Sequence, residues 1–267
     1  MRFIYINKLA HHFPVFCPNN RIIAPVSIFI FVSNNRPRVN AMKISAHFDA
    51  GSIIVTDLSD PSHIRLALRP DTAADFKQWF YFRLQGAAYT NCIMHFENAA
   101  DAAYPEGWDG YQAVASYDRQ NWFRVPTQYE NGELIINHTP LANSIYYAYF
   151  EPYSSEQHLN LLGEAQGSGL CQIEDLGSTV QGRDINLLTI GNQVDSDLKI
   201  WVIARQHPGE TMAEWFMEGF LSRLLDHQDP TARKLLDKAT FYIVPNMNLD
   251  GAALGNLRTN AAGANLN

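Results

Sequence analysis

The hydrophobic period of this chain changes near residue 154, and that change restricts its architecture more than any other feature. Before it, short apolar runs recur at 52–56, 63–68, 79–84, 92–96, 134–136 and 145–150. Turn signals such as Ser59-Asp60-Pro61, Gln85-Gly86 and Asn131-Gly132 separate them. Runs of that length at that spacing read as an antiparallel β-sandwich. Asn131-Gly132 predicts a two-residue hairpin turn, because Asn and Gly tolerate positive φ. Aromatic residues crowd this half: Trp79, Phe80, Tyr81, Phe82, Trp108, Tyr111, Trp122 and Phe123. A carbohydrate or peptide platform is one use for them, and packing between two sheets is the stronger one.

After residue 154 the pattern alternates between strand and helix. A short helix is expected at 158–162 and buried strands at 185–190 and 198–204. Met212, Trp215, Phe216, Gly219, Phe220 and Leu224 fall at helical spacing, which predicts an amphipathic helix over 211–227 with those residues inward. Asp229-Pro230 supplies an N-cap and a proline at the first helical position. The run 240–244 is a third strand. Strand, helix, strand requires a crossover, so the flanking strands pair in parallel. The expected fold is α+β with two domains: a β-sandwich over 42–153, then the first part of an α/β domain over 154–267 with a mixed, largely parallel sheet. Active sites gather at the carboxyl ends of such strands. That singles out 205–210 and 245–251.

Composition excludes several classes. With 46% hydrophobic and 18% charged residues the chain is not disordered. A net charge of -7 argues against a nucleic-acid partner. Cys17, Cys92 and Cys171 form no CxxC pair, so neither a disulfide framework nor a thiolate zinc site is expected. Residues 1–41 hold five basic side chains (Arg2, Lys8, Arg21, Arg36, Arg38) and no acid. Their longest apolar run, 22–32, is too short for a membrane-spanning helix, and no small-x-small cleavage site follows it. This basic N-terminal extension is expected to be a disordered tail or an over-called start, with His11-His12 incidental. No membrane role is expected.

Two segments carry chemistry. In Arg205-Gln206-His207-Pro208-Gly209-Glu210, an imidazole and a carboxylate three residues apart on one turn can converge on a cation. A bare His-x-x-Glu arises often by chance and also suits a surface histidine near a helix-opening glutamate. The second segment, residues 246–267, is rich in Asn and Gly and holds one arginine, Arg258. A guanidinium there can polarise a carbonyl or grip a carboxylate, whereas a solvated connection is the plainer use of such a loop.

Taken in order, the motifs WFYFRLQG (79–86), YPEGWDGYQAVASYD (104–118), WFRVPTQY (122–129), YYAYFEPYS (146–154), LGSTVQGRDINLLTIG (176–191), RQHPGE (205–210), NLDGAALGNLRTN (248–260) and GANLN (263–267) resemble the zinc metallocarboxypeptidases of the carboxypeptidase A type. The likeness is to the cytosolic carboxypeptidase subfamily. It implies a small antiparallel sandwich followed by an α/β catalytic domain with a central mixed sheet. It implies zinc-dependent hydrolysis of a C-terminal or side-chain glutamate peptide bond, with a peptide or protein C-terminus as substrate and a cytoplasmic location. His207 and Glu210 match two zinc ligands. Arg258 matches the arginine that polarises the scissile carbonyl, and Asn267 the asparagine that holds the substrate's terminal carboxylate. Leu249 stands where the family has Pro, and Asn265 where it has Asp.

The family pattern continues beyond Asn267 with a carboxylate-binding arginine, a third zinc ligand (a histidine), a glutamate general base and a tyrosine. The expectation is therefore a truncated, inactive form with two zinc ligands. A missing general base alone removes about 10²–10⁴ in rate. Two alternatives stand beside this one. An aspartoacylase-like deacylase also uses His-x-x-Glu, but a preceding sandwich and GNLRTN argue against it. A non-catalytic peptide- or protein-binding sandwich would need no zinc.

Overall fold

Alternation of apolar and polar side chains builds the first region of the chain. The computed structural model describes residues 41–191 and 198–267; Cys17, His11-His12 and the rest of the N-terminal extension up to residue 40 lie outside them. Among the described residues, ten strands precede the first α-helix: β1 (Lys43–Ser45), β2 (Ile54–Asp57), β3 (Ile64–Ala67), β4 (Tyr81–Gln85), β5 (Cys92–Phe96), β6 (Val114–Ser116), β7 (Phe123–Arg124), β8 (Thr127–Glu130), β9 (Glu133–His138) and β10 (Ser144–Ala148). They form two five-stranded sheets, ordered β1-β4-β10-β6-β7 and β2-β3-β5-β9-β8.

Cys92, Met94 and Phe96 of β5 are buried, as are Leu134 and Ile136 of β9 beside them. This is the period-2 alternation of a sheet with one face inward. The aromatics fill that interior. Trp79, Phe80, Phe82, Trp108 and Tyr147 are buried, with Phe80 against Phe96 at 4.7 Å and Phe82 stacked on Tyr147 at 5.5 Å. Phe123 is the exception, exposed on the short strand β7. Asn131 and Gly132 take φ of 52° and 86° and join β8 to β9 as the two-residue turn the sequence predicts.

The antiparallel expectation needs one correction. β3 and β5 pair in parallel, Ile64 opposite Met94. Between them the chain crosses to the other sheet to form β4, so no tight hairpin dictates their direction.

The second region begins with α1 (Ser155–Gly167), longer than the 158–162 expected. Ser154 and Gln157 form a reciprocal capping box at its start. Then come β11 (Cys171–Ser178), β12 (Asp184–Ile190), β13 (Leu198–Ile203), α2 (Met212–Leu224), α3 (Pro230–Leu236), β14 (Ala239–Val244) and α4 (Leu249–Leu254). Asp229 caps α3 through the N–H groups of Thr231 and Ala232, and Pro230 opens the helix. The sheet order is β11-β12-β14-β13.

β13 and β14 are parallel, as the strand-helix-strand order requires. The sheet is mixed but not largely parallel: β11–β12 and β12–β14 are both antiparallel. β11 and β12 are joined by a short turn, which permits only the antiparallel arrangement.

Two burial expectations also change. β13 lies at an edge among the described strands, with Leu198, Trp201 and Ile203 exposed rather than buried. The inward stripe of α2 is Glu214, Met217, Leu221 and Leu224, while Met212 and Phe216 face outward. Met217, Leu221 and Leu224 pack with Leu188, Ile190, Phe241 and Ile243 in the core of this region. Cys92 and Cys171 are free thiols, both buried, and burial pushes the Cys171 thiol up to about 11.

Candidate metal centre

The turn after β13 is built by an arginine in an unusual backbone state. Ala204 N–H still pairs with Val244 C=O (3.1 Å), and Arg205 then takes a φ of 50° that reverses the chain. A non-glycine residue there is strained and persists only when its surroundings hold it. Arg205 is buried and donates to Pro208 C=O (3.0 Å), to Tyr153 C=O (2.9 Å) and to the Glu214 carboxylate (2.6 Å). Glu214 is fully buried and also accepts from Asn246 Nδ2 (2.9 Å) and His158 Nδ1 (2.7 Å). The outlier on α2 is thus the hub that ties α1, both strand ends and the turn together.

Held this way, residues 207–210 close one turn, with Glu210 N–H donating to His207 C=O at 3.1 Å. His207 Nδ1 and Glu210 Oε1 lie 3.0 Å apart. His207 is buried, whereas Glu210 is exposed and lines a cleft of about 370 Å³ with Ile203, Gln206, Met212 and Phe216. Nε2 of His207 is buried with no hydrogen-bond partner in the described structure.

The loop after β14 closes on this turn. Met247 N–H donates to Ala204 C=O (2.9 Å) and Asn248 Nδ2 to Gln206 C=O (3.0 Å). Asp250 of α4 is buried and accepts from Thr179 Oγ1 (2.8 Å), Gln181 N–H (2.8 Å) and Arg183 Nη1 (2.6 Å), which anchors α4 to the turn between β11 and β12. Gly209 N–H, at the centre of His-x-x-Glu, donates to Leu257 C=O (2.9 Å). Glycine suits position 209, because a Cβ would crowd that same carbonyl oxygen at 3.0 Å.

The link from Arg258 to the His207–Glu210 pair therefore runs through the backbone of residue 257. Its guanidinium lies over the Phe76 ring, 5.8 Å from the centroid. Asn267 comes to the same place from the other direction, its Oδ1 accepting from Gln206 Nε2 at 3.2 Å. Leu249, at the family's proline position, opens α4 and is buried. Asn265 is exposed and its backbone bridges to Thr259.

The imidazole nitrogen and the carboxylate oxygen stand at hydrogen-bond distance, 3.0 Å. The same two lone pairs suit zinc, which takes imidazole nitrogen and carboxylate oxygen together. A metal-bound histidine also donates the N–H of its second ring nitrogen to an acceptor; among the described residues Nε2 of His207 meets none. Two donors fit; among the described residues no group of three His, Cys, Asp or Glu side chains gathers to hold an ion. His158, buried against Glu214, belongs to the supporting network.

Comparison with known proteins identifies the family. A family model for the cytosolic carboxypeptidase N-terminal domain matches residues 44–150, and one for zinc carboxypeptidases matches 157–267. A metallo-carboxypeptidase from Burkholderia cenocepacia is 55% identical with a TM-score of 0.82, over 85% of this chain and 61% of that one. One from Pseudomonas aeruginosa, in complex with (2-guanidinoethylmercapto)succinic acid, is 53% identical with a TM-score of 0.80, over 84% and 60%. Human cytosolic carboxypeptidase 2 is 27% identical over 86% of this chain and 29% of its own length. An uncharacterised Zymomonas mobilis protein is 48% identical, and the chain spans 58% of its length.

The fold is thus mixed α/β in several sheets and resembles that of metallocarboxypeptidases. The chain belongs to the zinc metallocarboxypeptidases, in the cytosolic carboxypeptidase subfamily, a group of metal-dependent hydrolases. It spans about 60% of the solved relatives it matches.

Proposed function

We propose that His207 and Glu210 are two protein ligands of a zinc ion that serves the hydrolysis of a C-terminal, or side-chain glutamate, peptide bond. The observation that carries this reading is the 3.0 Å approach of Nδ1 to Oε1 at the carboxyl end of a parallel strand pair. Zinc, when bound, supplies Lewis acidity and an activated water. The chain's own residues do the rest. Arg258 presents a guanidinium for the scissile carbonyl oxygen or a substrate carboxylate, and Asn267 offers an amide to orient that carboxylate. Arg205 and Glu214 keep the His-x-x-Glu turn in place.

The partner is a peptide or protein C-terminus. The succinic acid moiety of the molecule held by the Pseudomonas relative carries carboxylates of the kind Arg258 would take. Residues 42–153 act as a sandwich domain and 154–267 as the metal-bearing one. The subfamily's name suggests a cytosolic setting. Among the described residues no helix is long and apolar enough to cross a membrane.

The test is zinc stoichiometry by equilibrium dialysis, with release of the terminal residue from acidic peptides followed in parallel. One zinc per chain is expected, and His207→Ala should weaken it beyond the ~10–100-fold typical of losing an outer partner of a ligand. Zinc binding that is indifferent to both His207→Ala and Glu210→Ala would overturn the assignment.

A further inference from the structure

We infer that the sandwich takes part in the chemistry through one buried carboxylate: Asp71 is a positioning residue for Arg258. The inference rests on the function proposed above for Arg258. Asp71 lies on the segment between β3 and β4 and is buried. Its Oδ1 accepts from Leu257 N–H (2.5 Å), and its Oδ2 from Arg258 N–H (3.0 Å), Thr259 N–H (2.7 Å) and Thr259 Oγ1 (2.8 Å). Three consecutive amides gathered on one carboxylate point the same way. That fixes the backbone of 257–259, and with it the direction in which the Arg258 side chain leaves.

The rest of the segment holds the flanks of the same loop. Arg69 Nη2 donates to Leu254 C=O (2.5 Å), while Thr72 N–H and Oγ1 donate to Asn256 Oδ1 (3.0 and 2.9 Å). Asp71 N–H itself is tied to Phe76 C=O (2.8 Å), which brings Phe76 under the Arg258 guanidinium. Close approach is required on both sides. A Cβ on Gly255 would meet Ala50 O at 2.6 Å, and one on Gly263 would meet Ala73 O at 2.4 Å.

Residue 257 is therefore gripped twice. Its N–H is held by Asp71 of the sandwich, and its C=O by Gly209 of the His-x-x-Glu turn. Arg258 hangs from the point where the two regions meet. Asparagine at position 71 cannot replace the aspartate, because one acceptor oxygen remains and an NH₂ faces the amide donors.

The experiment uses Asp71→Asn, Phe76→Leu, Arg258→Ala and the Asp71→Asn/Arg258→Ala double variant of the zinc-loaded protein. Amide hydrogen exchange and steady-state kinetics on a C-terminal peptide are both read. In Asp71→Asn the amides of 257–259 should lose protection while those of β5 keep theirs. In that variant kcat should fall by up to ~10²-fold, the scale of a misplaced catalytic group, with KM nearly unchanged. In the Arg258→Ala background the same substitution should add little.

Phe76→Leu breaks no hydrogen bond and serves if Asp71→Asn fails to fold. It should lower kcat about 2- to 5-fold, the worth of an exposed cation–π contact. Unchanged protection at 257–259, or a loss from either substitution that persists undiminished without Arg258, overturns the inference. A wild type that turns over no C-terminal peptide bears on the activity of this chain and not on Asp71. The exchange measurement needs no substrate and then decides alone whether Asp71 holds the loop.

Discussion

The sandwich and the second region bury different things. In the sandwich the largest buried side chains are apolar, among them Trp79, Phe80, Phe82, Phe96 and Tyr147. Around the ends of β13 and β14 the buried side chains are Arg205, His207, Glu214, Asn246, Asn248 and Asp250. Apolar burial is non-directional and serves cohesion. A buried polar network, once every member has a partner, fixes positions. The sandwich joins that second pattern at Asp71, which, with the same logic as Glu214, gathers donors from a loop of the other region.

The largest expected effects test whether the two kinds of burial do different work. Phe82→Ala removes a fully buried ring stacked on Tyr147 and should destabilise the protein by about 3–5 kcal/mol. Glu214→Ala leaves the buried Arg205 guanidinium unpaired and should cost about as much, again about 3–5 kcal/mol. Urea unfolding measures both. They should part in zinc titration under conditions where each variant is folded: Phe82→Ala keeps the wild-type affinity, and Glu214→Ala loses affinity because the His207 turn is released. Equal loss of zinc in the two variants would break the comparison.

A smaller effect is expected where the two loops touch. A Cβ on Gly251 would lie 2.4 Å from Pro208 Cγ and 2.5 Å from Thr259 O, between the His-x-x-Glu turn and the Arg258 loop. Gly251→Ala should destabilise by about 1–3 kcal/mol, the usual range for overpacking. Its effect on peptide turnover should exceed its effect on zinc affinity, since the Cβ would meet the backbone oxygen of Thr259, next to Arg258, but only the ring of Pro208. The reverse order would mean that the metal turn, not the arginine loop, is the one that yields.

What the sequence made legible was local. β5, the Asn131-Gly132 turn and the capped start of α3 each depend on residues within a few positions, and each appears where the pattern placed it. His207 and Glu210 were legible for the same reason, because a three-residue spacing on one turn brings them together. The short strands β1, β6 and β7 carry too few residues for alternation to register. The inward face of α2 was misread because Glu214 is buried only by virtue of His158, Arg205 and Asn246, none of them near it in the helix. Met217, Leu221 and Leu224 do point back to position 214 at helical spacing, and that was the available signal. Asp71 gave no signal at all, since its partners lie 186 to 188 residues away.

A third carboxylate, outside both patterns, gives the smallest effect and calibrates the other two. Asp229 caps α3 at the surface, and its carboxyl is lowered to about 2 by the Arg223 side chain first and then by the N–H groups of Ala232 and Thr231. Because the folded value lies below the ordinary 3.8, the ionised carboxylate stabilises the fold at any pH above that value, and the contribution fades as pH falls toward about 2. Asp229→Asn keeps an acceptor for the helix start but not the charge. It should be slightly less stable than wild type near neutral pH, with the gap narrowing under acid and in high salt. A carboxyl carbon NMR titration reads the group directly: its midpoint should sit near 2 in the wild type and rise toward 3.8 in Arg223→Ala. Zinc binding should not change in either variant, and if it did, the polar network around the site would extend further along the chain than Glu214 and Asp71 carry it.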